Sequence, residues 1–170
     1  RNTQRFFNPD MQAAASSRAA LEADLRRGLQ EEELVLFYQP IVDGNGRLQG
    51  AEGLVRWRHP RKGLVSPDEF IPIAEQTGMI LPLGQWVLKA ACAQLVVWSR
   101  SASTRDLFLS VNVSVRQFRQ PDFVERVLGA LDASGANPER LKIELTESLL
   151  MVDVEDVIAR MEHLRRYGVG

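Results

Sequence analysis

The apolar residues of this chain recur with a helical period in some segments and with a strand period in others. Helical spacing and helix-start signals predict the helices Ala13–Leu29, Pro67–Gln76, Leu83–Trp98, Pro121–Ser134 and Val152–Tyr167. Runs rich in aliphatic and aromatic residues predict the strands Glu33–Val42, Leu48–Trp57, Leu107–Ser114 and Leu141–Thr146. The segment Arg1–Gln12 carries neither pattern and is interpreted as a linker.

The order of these elements predicts an α/β fold. The turn Gly44-Asn45-Gly46 joins the first two strands and predicts a hairpin. From Leu48 onward strands and helices alternate, which is typical of parallel β/α units. A complete barrel of eight such units takes at least ~200 residues, whereas this chain has 170 and ends at Val169-Gly170, where a new strand is due. The pattern leaves two alternatives open, a small open sheet or an incomplete barrel.

Composition narrows the class of protein. Hydrophobic residues make up 45% and charged residues 25%, which is typical of a globular chain. The net charge of -1 gives no basic excess of the kind that nucleic-acid surfaces carry, and no dense basic run favours anionic lipid. Unbroken apolar runs fall far short of the ~20 residues that span a bilayer. Cys92 is the single cysteine, which fits a reducing compartment. We therefore expect a cytoplasmic segment without membrane contact.

Three strands each place an oxygen-bearing side chain opposite their apolar face. Side chains alternate along a strand, so the apolar odd positions of Leu107–Ser114 put Asn112 on the other face. The same parity sets Glu144 apart from its apolar neighbours, and groups Glu52 with Arg56. In a parallel barrel that face is the interior, whose C-terminal mouth carries catalytic groups. Two carboxylates and a carboxamide suit Mg²⁺ or Mn²⁺. The alternative is that these are solvated or turn-forming side chains.

At these same residues the sequence resembles the EAL family of cyclic-di-GMP phosphodiesterases. Five stretches carry the resemblance, in order and with matching gaps: Tyr38-Gln39-Pro40-Ile41, Ala51-Glu52-Gly53-Leu54-Val55-Arg56-Trp57, Phe70-Ile71-Pro72-Ile73-Ala74-Glu75, Val111-Asn112-Val113-Ser114 and Glu144-Leu145-Thr146-Glu147-Ser148. The resemblance implies a modified (β/α)₈ TIM-type barrel with an early antiparallel strand, of which about the first half is present. Residues 1–17 would then be a linker and residues 18–170 the N-terminal part of the domain.

The resemblance also implies roles for individual residues. It assigns three ligands to a paired Mg²⁺ or Mn²⁺ site: Glu52, Asn112 and Glu144. It places Glu147 behind the ligands, where it supports catalysis together with Glu52. It assigns three contacts to the dinucleotide, with the arginine at a phosphate: Gln39, Leu54 and Arg56. The implied reaction is in-line attack of a metal-activated water on cyclic di-GMP, which yields linear pGpG.

The chain departs from the family pattern in two ways. Its signature reads Glu52-Gly53-Leu54 where the family has Glu-Ala-Leu, and the glycine should loosen the strand by about 0.5–1 kcal/mol. Because Gly53 lies on the face opposite Glu52, we expect the change to be tolerated. The family's Asp-Asp pair, its Phe-Gly-Thr-Gly loop and its catalytic Lys would all follow Gly170. We therefore expect this chain to be inactive as a phosphodiesterase by itself.

Other functional interpretations stay open beside the enzyme. The module could be a receptor that binds cyclic di-GMP without cleaving it. It could also be an assembly or dimerisation element, because half a barrel exposes sheet edges, and we expect self-association of the chain. The start Arg1-Asn2-Thr3-Gln4-Arg5-Phe6-Phe7 resembles the tail of a GGDEF domain, the alternative being an ordinary extension. A membrane anchor elsewhere in a longer parent protein is also left open.

Individual polar residues are given structural interpretations. His59, beside Pro60 in a basic turn, is expected in a solvated loop rather than in a functional role. Ser66 and Glu69 have the spacing of a helix cap. Cys92 lies within an apolar helix and is interpreted as a buried small hydrophobic residue.

Overall fold

The structure, a computed structural model, describes residues 9–145 and 154–170. Its elements come in this order: α1 (Pro9–Gly28), β1 (Leu34–Val42), β2 (Leu48–His59), β3 (Gly63–Val65), α2 (Pro67–Thr77), α3 (Ile80–Ser99), β4 (Phe108–Val113), α4 (Val115–Phe118), α5 (Phe123–Ser134), β5 (Leu141–Leu145) and α6 (Val154–Arg166). The predicted tail Arg1–Phe7 and the residue Glu147 lie outside the described residues. The first helix begins within the segment that was interpreted as a linker.

The strands form one mixed sheet in the order β1-β2-β4-β5. β1 and β2 are an antiparallel hairpin, as predicted, and the Asp43 carboxylate closes its turn by accepting the backbone N–H groups of Asn45 and Arg47 at 2.8 and 2.9 Å. The pairs β2–β4 and β4–β5 are parallel. The fold is therefore α/β with a partial barrel of parallel strands and an early antiparallel strand, which confirms the predicted class.

The parallel arrangement continues past β5. The backbone N–H of Gly170 donates to the carbonyl of Leu141 at 3.0 Å, and its carbonyl accepts from the N–H of Ile143 at 2.8 Å. Gly170 thus bonds to Leu141 and to Ile143, the residues on either side of Lys142. This is the hydrogen-bond pattern of a parallel strand pair. The backbone after α6 thus lies against the free edge of β5, where the next strand of a barrel belongs.

Helix α3 covers the outer face of the sheet and contributes to the main core. Its buried residues Ala91, Cys92 and Leu95 belong to one cluster with Leu109 of β4 and Val127 of α5. This confirms that the cysteine is buried. Among the described residues α3 is also the one helix long and apolar enough to cross a membrane. Scattered polar residues interrupt the apolar runs of α3. The length of its unbroken apolar runs therefore does not identify it as a helix that could cross a membrane.

The expected helix cap at the start of α2 is absent as a side-chain contact. Ser66 is the N-cap residue and Pro67 begins the helix, but the Ser66 side chain makes no capping bond. Only the backbone N–H of Glu69 returns to the Ser66 carbonyl, at 3.0 Å. The predicted capping role of Glu69 is therefore wrong, because no side-chain capping bond forms between Ser66 and Glu69. Pro67 has no backbone N–H to donate. The start of α2 is therefore held by backbone hydrogen bonds alone.

His59 is buried, and its expected place in a solvated loop is wrong. It is the last residue of β2, which continues past Trp57 because β3 pairs with it, and it is only 2% exposed. Its Nδ1 accepts the backbone N–H groups of Arg61 and Lys62 at 3.1 and 3.2 Å. The ring proton is therefore assigned to Nε2, which donates to the Asp24 carboxylate at 3.0 Å.

Asp24 joins helix α1 to the end of β2. Arg27 and Arg61 contact its two carboxylate oxygens, at 3.0 and 2.9 Å. The hydrogen bond from His59 lowers the pKa of the Asp24 carboxyl, burial opposes this, and the two guanidinium groups lower the pKa further. Trp57 ties β2 to the loop between α1 and β1, because its indole N–H donates to Glu33 at 2.8 Å. These bonds fix the C-terminal half of α1 against the sheet.

Candidate functional site

The candidate site lies where β2 and β4 separate. Their parallel pairing ends at Gly53 opposite Val111. Beyond this point β2 stays paired with β1 and β3, whereas β4 stays paired with β5. The divergence opens a cleft between the two strand ends, lined on one side by Leu54 and Arg56 and on the other by Asn112. We call this divergence the β2–β4 fork.

The three oxygen-bearing residues predicted from strand parity come together at the fork. The Asn112 side-chain amide donates to Oε1 of Glu52 at 2.6 Å, although the two residues lie on different strands. Asn112 is also the register partner of Glu144 in the parallel pair β4–β5, so both side chains point to the same face. Gln39 is the partner of Glu52 across the hairpin and shares that face. The structure therefore places all three predicted ligands on one face of the neighbouring strands β2, β4 and β5, with Asn112 bonded to Glu52.

The chemistry of this donor set fits a hard divalent cation. Glu52 and Glu144 offer carboxylate oxygens, and Asn112 offers an amide oxygen while its nitrogen bonds Glu52. Oxygen donors of this kind are those that Mg²⁺ and Mn²⁺ prefer. Within residues 9–145 and 154–170, no three His, Cys, Asp or Glu side chains are grouped as a metal site. A three-ligand cation site among the described residues therefore needs the Asn112 carboxamide beside the carboxylates of Glu52 and Glu144.

Arg56 places a cation in the same cleft. One of its terminal nitrogens donates to the backbone carbonyl of Val55 at 2.9 Å, and its guanidinium carbon lies 5.9 Å from the centroid of the Phe37 ring. A guanidinium has five N–H donors in a planar fork, so this single bond leaves donors for an anionic ligand. The position of Arg56 suits contact with a phosphate.

Helix α2 supplies a cleft wall that the sequence reasoning did not assign to the site. Pro67, Ile71 and Glu75 line the cleft opposite the strand ends. The available signal was only the helix-start sequence Ser66-Pro67 following the second predicted strand in the chain, since loops and helix starts after barrel strands line the mouth. The apolar side chains among them provide a surface against which a flat ring could lie.

Comparison with known proteins identifies the family. A model of the EAL domain matches residues 22–170. The chain belongs to the EAL domain family. Its described residues place the Glu of that signature, Glu52, at the fork. The middle residue, Gly53, lies on the opposite strand face, where an added Cβ would meet the backbone oxygen of Ser110 at 3.3 Å.

Curated relatives in this family are longer than the chain. MucR of Pseudomonas aeruginosa, a bifunctional diguanylate cyclase/cyclic di-GMP phosphodiesterase, is 40% identical over 171 residues, covering 100% of this chain and 25% of its own length. The oxygen sensor protein DosP of Escherichia coli is 39% identical over 170 residues, covering 99% of this chain and 21% of its own length. The chain thus spans about a quarter of the relatives that it matches.

Solved structures of EAL proteins share the fold. The PaMucR phosphodiesterase in complex with c-di-GMP superposes with a TM-score of 0.84 at 40% identity, covering 89% of this chain and 61% of that one. The EAL enzyme Bd1971, in a form with cAMP and cyclic-di-GMP bound, gives 0.82 at 33% identity over 92% of this chain and 44% of its own. The family is one of cyclic di-GMP phosphodiesterases, and its members have a TIM-barrel fold. The individual roles assigned to site residues stay predictions.

Proposed function

We propose that this chain is the N-terminal part of a domain that binds cyclic di-GMP and, in the full-length protein, hydrolyses it to linear pGpG. The observation that carries the proposal is the convergence of Glu52, Asn112 and Glu144 at the β2–β4 fork, beside Arg56 in the cleft. Similarity to the PaMucR phosphodiesterase, whose structure holds c-di-GMP, supports the choice of ligand.

The three predicted ligands would hold Mg²⁺ or Mn²⁺ through their side-chain oxygens. A divalent ion held there polarises a phosphoryl oxygen and lowers the pKa of a bound water. The protein's own contribution is to fix the ligands: the bond between Asn112 and Glu52 orients both side chains before any ion binds. Glu147, to which a supporting role is assigned, lies outside the described residues.

The cleft would hold the dinucleotide by charge and by an apolar wall. Cyclic di-GMP carries two phosphates and two flat purine bases. The remaining guanidinium donors of Arg56 suit a phosphate, and Leu54 and Ile71 offer apolar surface to a base. Gln39, which lies opposite Glu52 on the same strand face, is proposed to contact the same ligand through its side-chain amide.

Hydrolysis needs more groups than this chain holds among its described residues. Two-metal catalysis requires ions about 4 Å apart and carboxylates that bridge them, whereas the fork brings together one carboxamide and two carboxylates. We therefore propose that the chain alone binds the nucleotide and does not turn it over. A receptor module that never cleaves its ligand is the second candidate, and a turnover assay on the full-length protein distinguishes it from the enzyme.

Self-association of the chain is proposed from its exposed edge. β1 pairs on one side only, with β2, within the described sheet. Phe37, Val42 and Leu48 on this hairpin are 42%, 56% and 48% exposed. Unpaired strand edges with apolar side chains favour pairing with another chain. Light scattering would show dimers or larger species, and a stable monomer at high concentration would contradict the proposal.

We also propose a cytoplasmic location and a GGDEF domain upstream in the parent protein. The buried free thiol of Cys92 fits a reducing compartment. MucR, which matches along this whole chain, is a bifunctional cyclase and phosphodiesterase. Sequencing the parent gene upstream of Arg1 would test the domain arrangement.

The decisive experiment separates binding from turnover. The chain is titrated with cyclic di-GMP by calorimetry in Mn²⁺ and again in EDTA, with linear pGpG as the comparison ligand. We expect saturable binding of cyclic di-GMP that weakens in EDTA, and no pGpG in the chromatogram. The full-length protein is then assayed for turnover, and tight binding without product there would favour the receptor. Absence of cyclic di-GMP binding under all conditions would overturn the proposed function.

A further inference from the structure

The position of Asn112 depends on more than the sheet. Asn112 and Val113, the last residues of β4, lie beyond the end of the β2–β4 pairing and are paired only with β5. On the side of β2 the strand end is held by the bond from Asn112 to Glu52. The next element in the chain also holds it. This element is the short helix α4, which begins one residue after the N-cap Ser114.

A reciprocal capping box fixes the start of α4. The Ser114 hydroxyl accepts the backbone N–H of Gln117 at 3.2 Å. In return the Gln117 side-chain oxygen accepts from the Ser114 hydroxyl at 3.0 Å and from its backbone N–H at 3.3 Å. This arrangement sets the angle at which the chain leaves the strand and enters the helix. Ser114 is two residues from Asn112, so the box determines the path of the backbone immediately beyond the ligand set.

A glycine of α3 positions the box from the other side. Gln117 is 7% exposed, and its amide occupies the space over Gly84: a Cβ built there would lie 1.5 Å from the Gln117 nitrogen. No side chain larger than hydrogen fits at Gly84 unless Gln117 moves. Gly84 has no positive φ, so its role is close approach rather than backbone freedom.

The far end of α4 is held as well. Arg160 of α6 donates to the carbonyls of Phe118 and Gln120 at 3.0 and 2.6 Å. Arg116 donates to the carbonyl of Glu75, which lines the cleft on α2. The short helix is therefore fixed at both ends and connects the two walls of the cleft.

We propose that Gln117, seated against Gly84, is a positioning residue that sets where Asn112 stands relative to Glu52. The inference rests on the proposed function in one respect, namely that this geometry sets the affinity for a divalent cation. The simpler interpretation is that the box only stabilises the helix. The two interpretations differ because a stabilising cap would change the melting temperature and leave the Asn112 amide unchanged.

The test compares five variants of the chain. Gln117→Ala removes the box acceptor, and Gln117→Glu keeps it, since glutamate serves equally at this position of a capping box. Gly84→Ala forces the Gln117 amide to move. Gly84→Ala combined with Gln117→Ala relieves this clash, but the double variant still lacks the capping box. Gly129→Ala on α5, where an added Cβ meets nothing within 4 Å, is the matched control for a helix glycine.

Two readouts are taken on each folded variant. The first is the ¹⁵N–¹H resonance of the Asn112 side-chain amide, assigned with Asn112→Asp, which reports the bond to Glu52 without any metal. The second is Mn²⁺ affinity by calorimetry. We expect Gln117→Ala to shift the resonance and to weaken Mn²⁺ binding about tenfold, as removal of groups behind metal ligands does. Gln117→Glu should keep the resonance in place because the box acceptor remains, and Gly129→Ala should match the unchanged chain in both readouts.

The glycine variants separate stability from positioning. We expect Gly84→Ala to lower the melting temperature and the double variant to return it to that of Gln117→Ala, while the double variant keeps the shifted resonance and weak binding of Gln117→Ala. An Asn112 resonance that stays in place in both Gln117→Ala and the double variant would overturn the inference. If the resonance moves but the unchanged chain binds no Mn²⁺, the positioning role stands and the proposed metal site fails.

Discussion

Strand β2 carries two polar clusters that differ in how completely their hydrogen-bonding groups are used. At its C-terminal end both ring nitrogens of His59 have protein partners, and Asp24 is contacted by His59 and two arginines. Nearer its middle, Glu52 takes one side-chain hydrogen bond among the described residues, from Asn112. His59 and Asp24 find their partners within the protein, although Nη2 of Arg27 is buried without a hydrogen-bond partner, whereas the second cluster presents oxygen atoms to solvent.

This difference shows that residue type is a poor guide to function without burial and partners. Histidine is the commonest metal ligand, yet His59 is structural because a buried polar group must find protein partners. Asparagine near a strand end is usually a turn former, yet Asn112 stands in the predicted ligand set. Open acceptors at an exposed mouth are what a cation requires, and partners for both ring nitrogens are what the buried His59 requires.

The largest expected effect is at the open cluster. Glu52→Gln keeps an oxygen that can accept from Asn112 but removes the charge. Because loss of groups behind metal ligands already weakens binding 10–100-fold, loss of the ligand charge should weaken Mn²⁺ binding by about 100-fold or more. Stability should change by no more than about 0.5 kcal/mol. Calorimetry and thermal unfolding measure the two, with the exposed Glu125→Gln on α5 as the control. Equal Mn²⁺ binding by both variants would remove Glu52 from the site.

The cluster of His59 and Asp24 should respond in the opposite way. His59→Ala leaves two backbone N–H groups of the following turn without an acceptor, and should lower the free energy of unfolding by about 2 kcal/mol. Mn²⁺ affinity of the folded variant should not change. Urea unfolding measures the first, and His163→Ala, on the exposed side of α6, is the control. Loss of Mn²⁺ binding in folded His59→Ala would break the distinction between the clusters.

The pH dependence of stability should trace the same cluster. The pKa of Asp24 is lower in the folded chain than in the unfolded chain, chiefly through the hydrogen bond from His59. A depressed carboxyl pKa contributes stability above the unfolded value of about 4, and that contribution is lost as the pH falls through the folded pKa. The gap in melting temperature between the unchanged chain and Asp24→Asn should therefore stay constant from pH 7 to about 4 and narrow as the pH falls further. Parallel profiles would show that Asp24 is not stabilised by its partners.

The smallest effect is expected at the altered signature. Gly53→Ala, which restores the family sequence, should stabilise the strand by at most about 0.5–1 kcal/mol. The 3.3 Å contact of the new Cβ with the Ser110 oxygen reduces the gain. Cyclic di-GMP affinity should be unchanged. Gly50→Ala is the contrasting variant, because its Cβ would lie 2.4 Å from the Phe108 carbonyl oxygen and should destabilise the sheet. A change in affinity in Gly53→Ala would mean that the middle position of the signature acts on the site.

The two helix caps show where local sequence rules succeed and fail. Ser66 and Glu69 have the spacing of a capping box, yet the Ser66 side chain makes no capping bond. Ser114 and Gln117 have the same spacing and form the box. The Gln117 side chain is held in place by Gly84, thirty-three positions away in the chain. A local sequence motif indicates which capping hydrogen bonds can form, and tertiary contacts determine which of them do form.

His59 illustrates the same limit for strands. The sequence pattern predicted that the second strand ends at Trp57 and that a solvated turn comes next. β3, a segment of three residues that was not predicted, pairs with Trp57, Arg58 and His59 and extends the strand. Three residues carry too little periodic signal to be identified by themselves. In the extended strand His59 reaches Asp24 of α1, a contact that helical spacing within α1 does not encode.

The sequence alone determined the order of the strands and helices, the hairpin, and the common face of Glu52, Asn112 and Glu144. These follow from side-chain direction, which alternates along a strand and needs no knowledge of distant residues. The tertiary structure alone decided that β2 and β4 separate after Gly53, that His59 is buried against Asp24, and that Gln117 is seated on Gly84. Each of these depends on the approach of segments far apart in the chain, which periodicity does not encode.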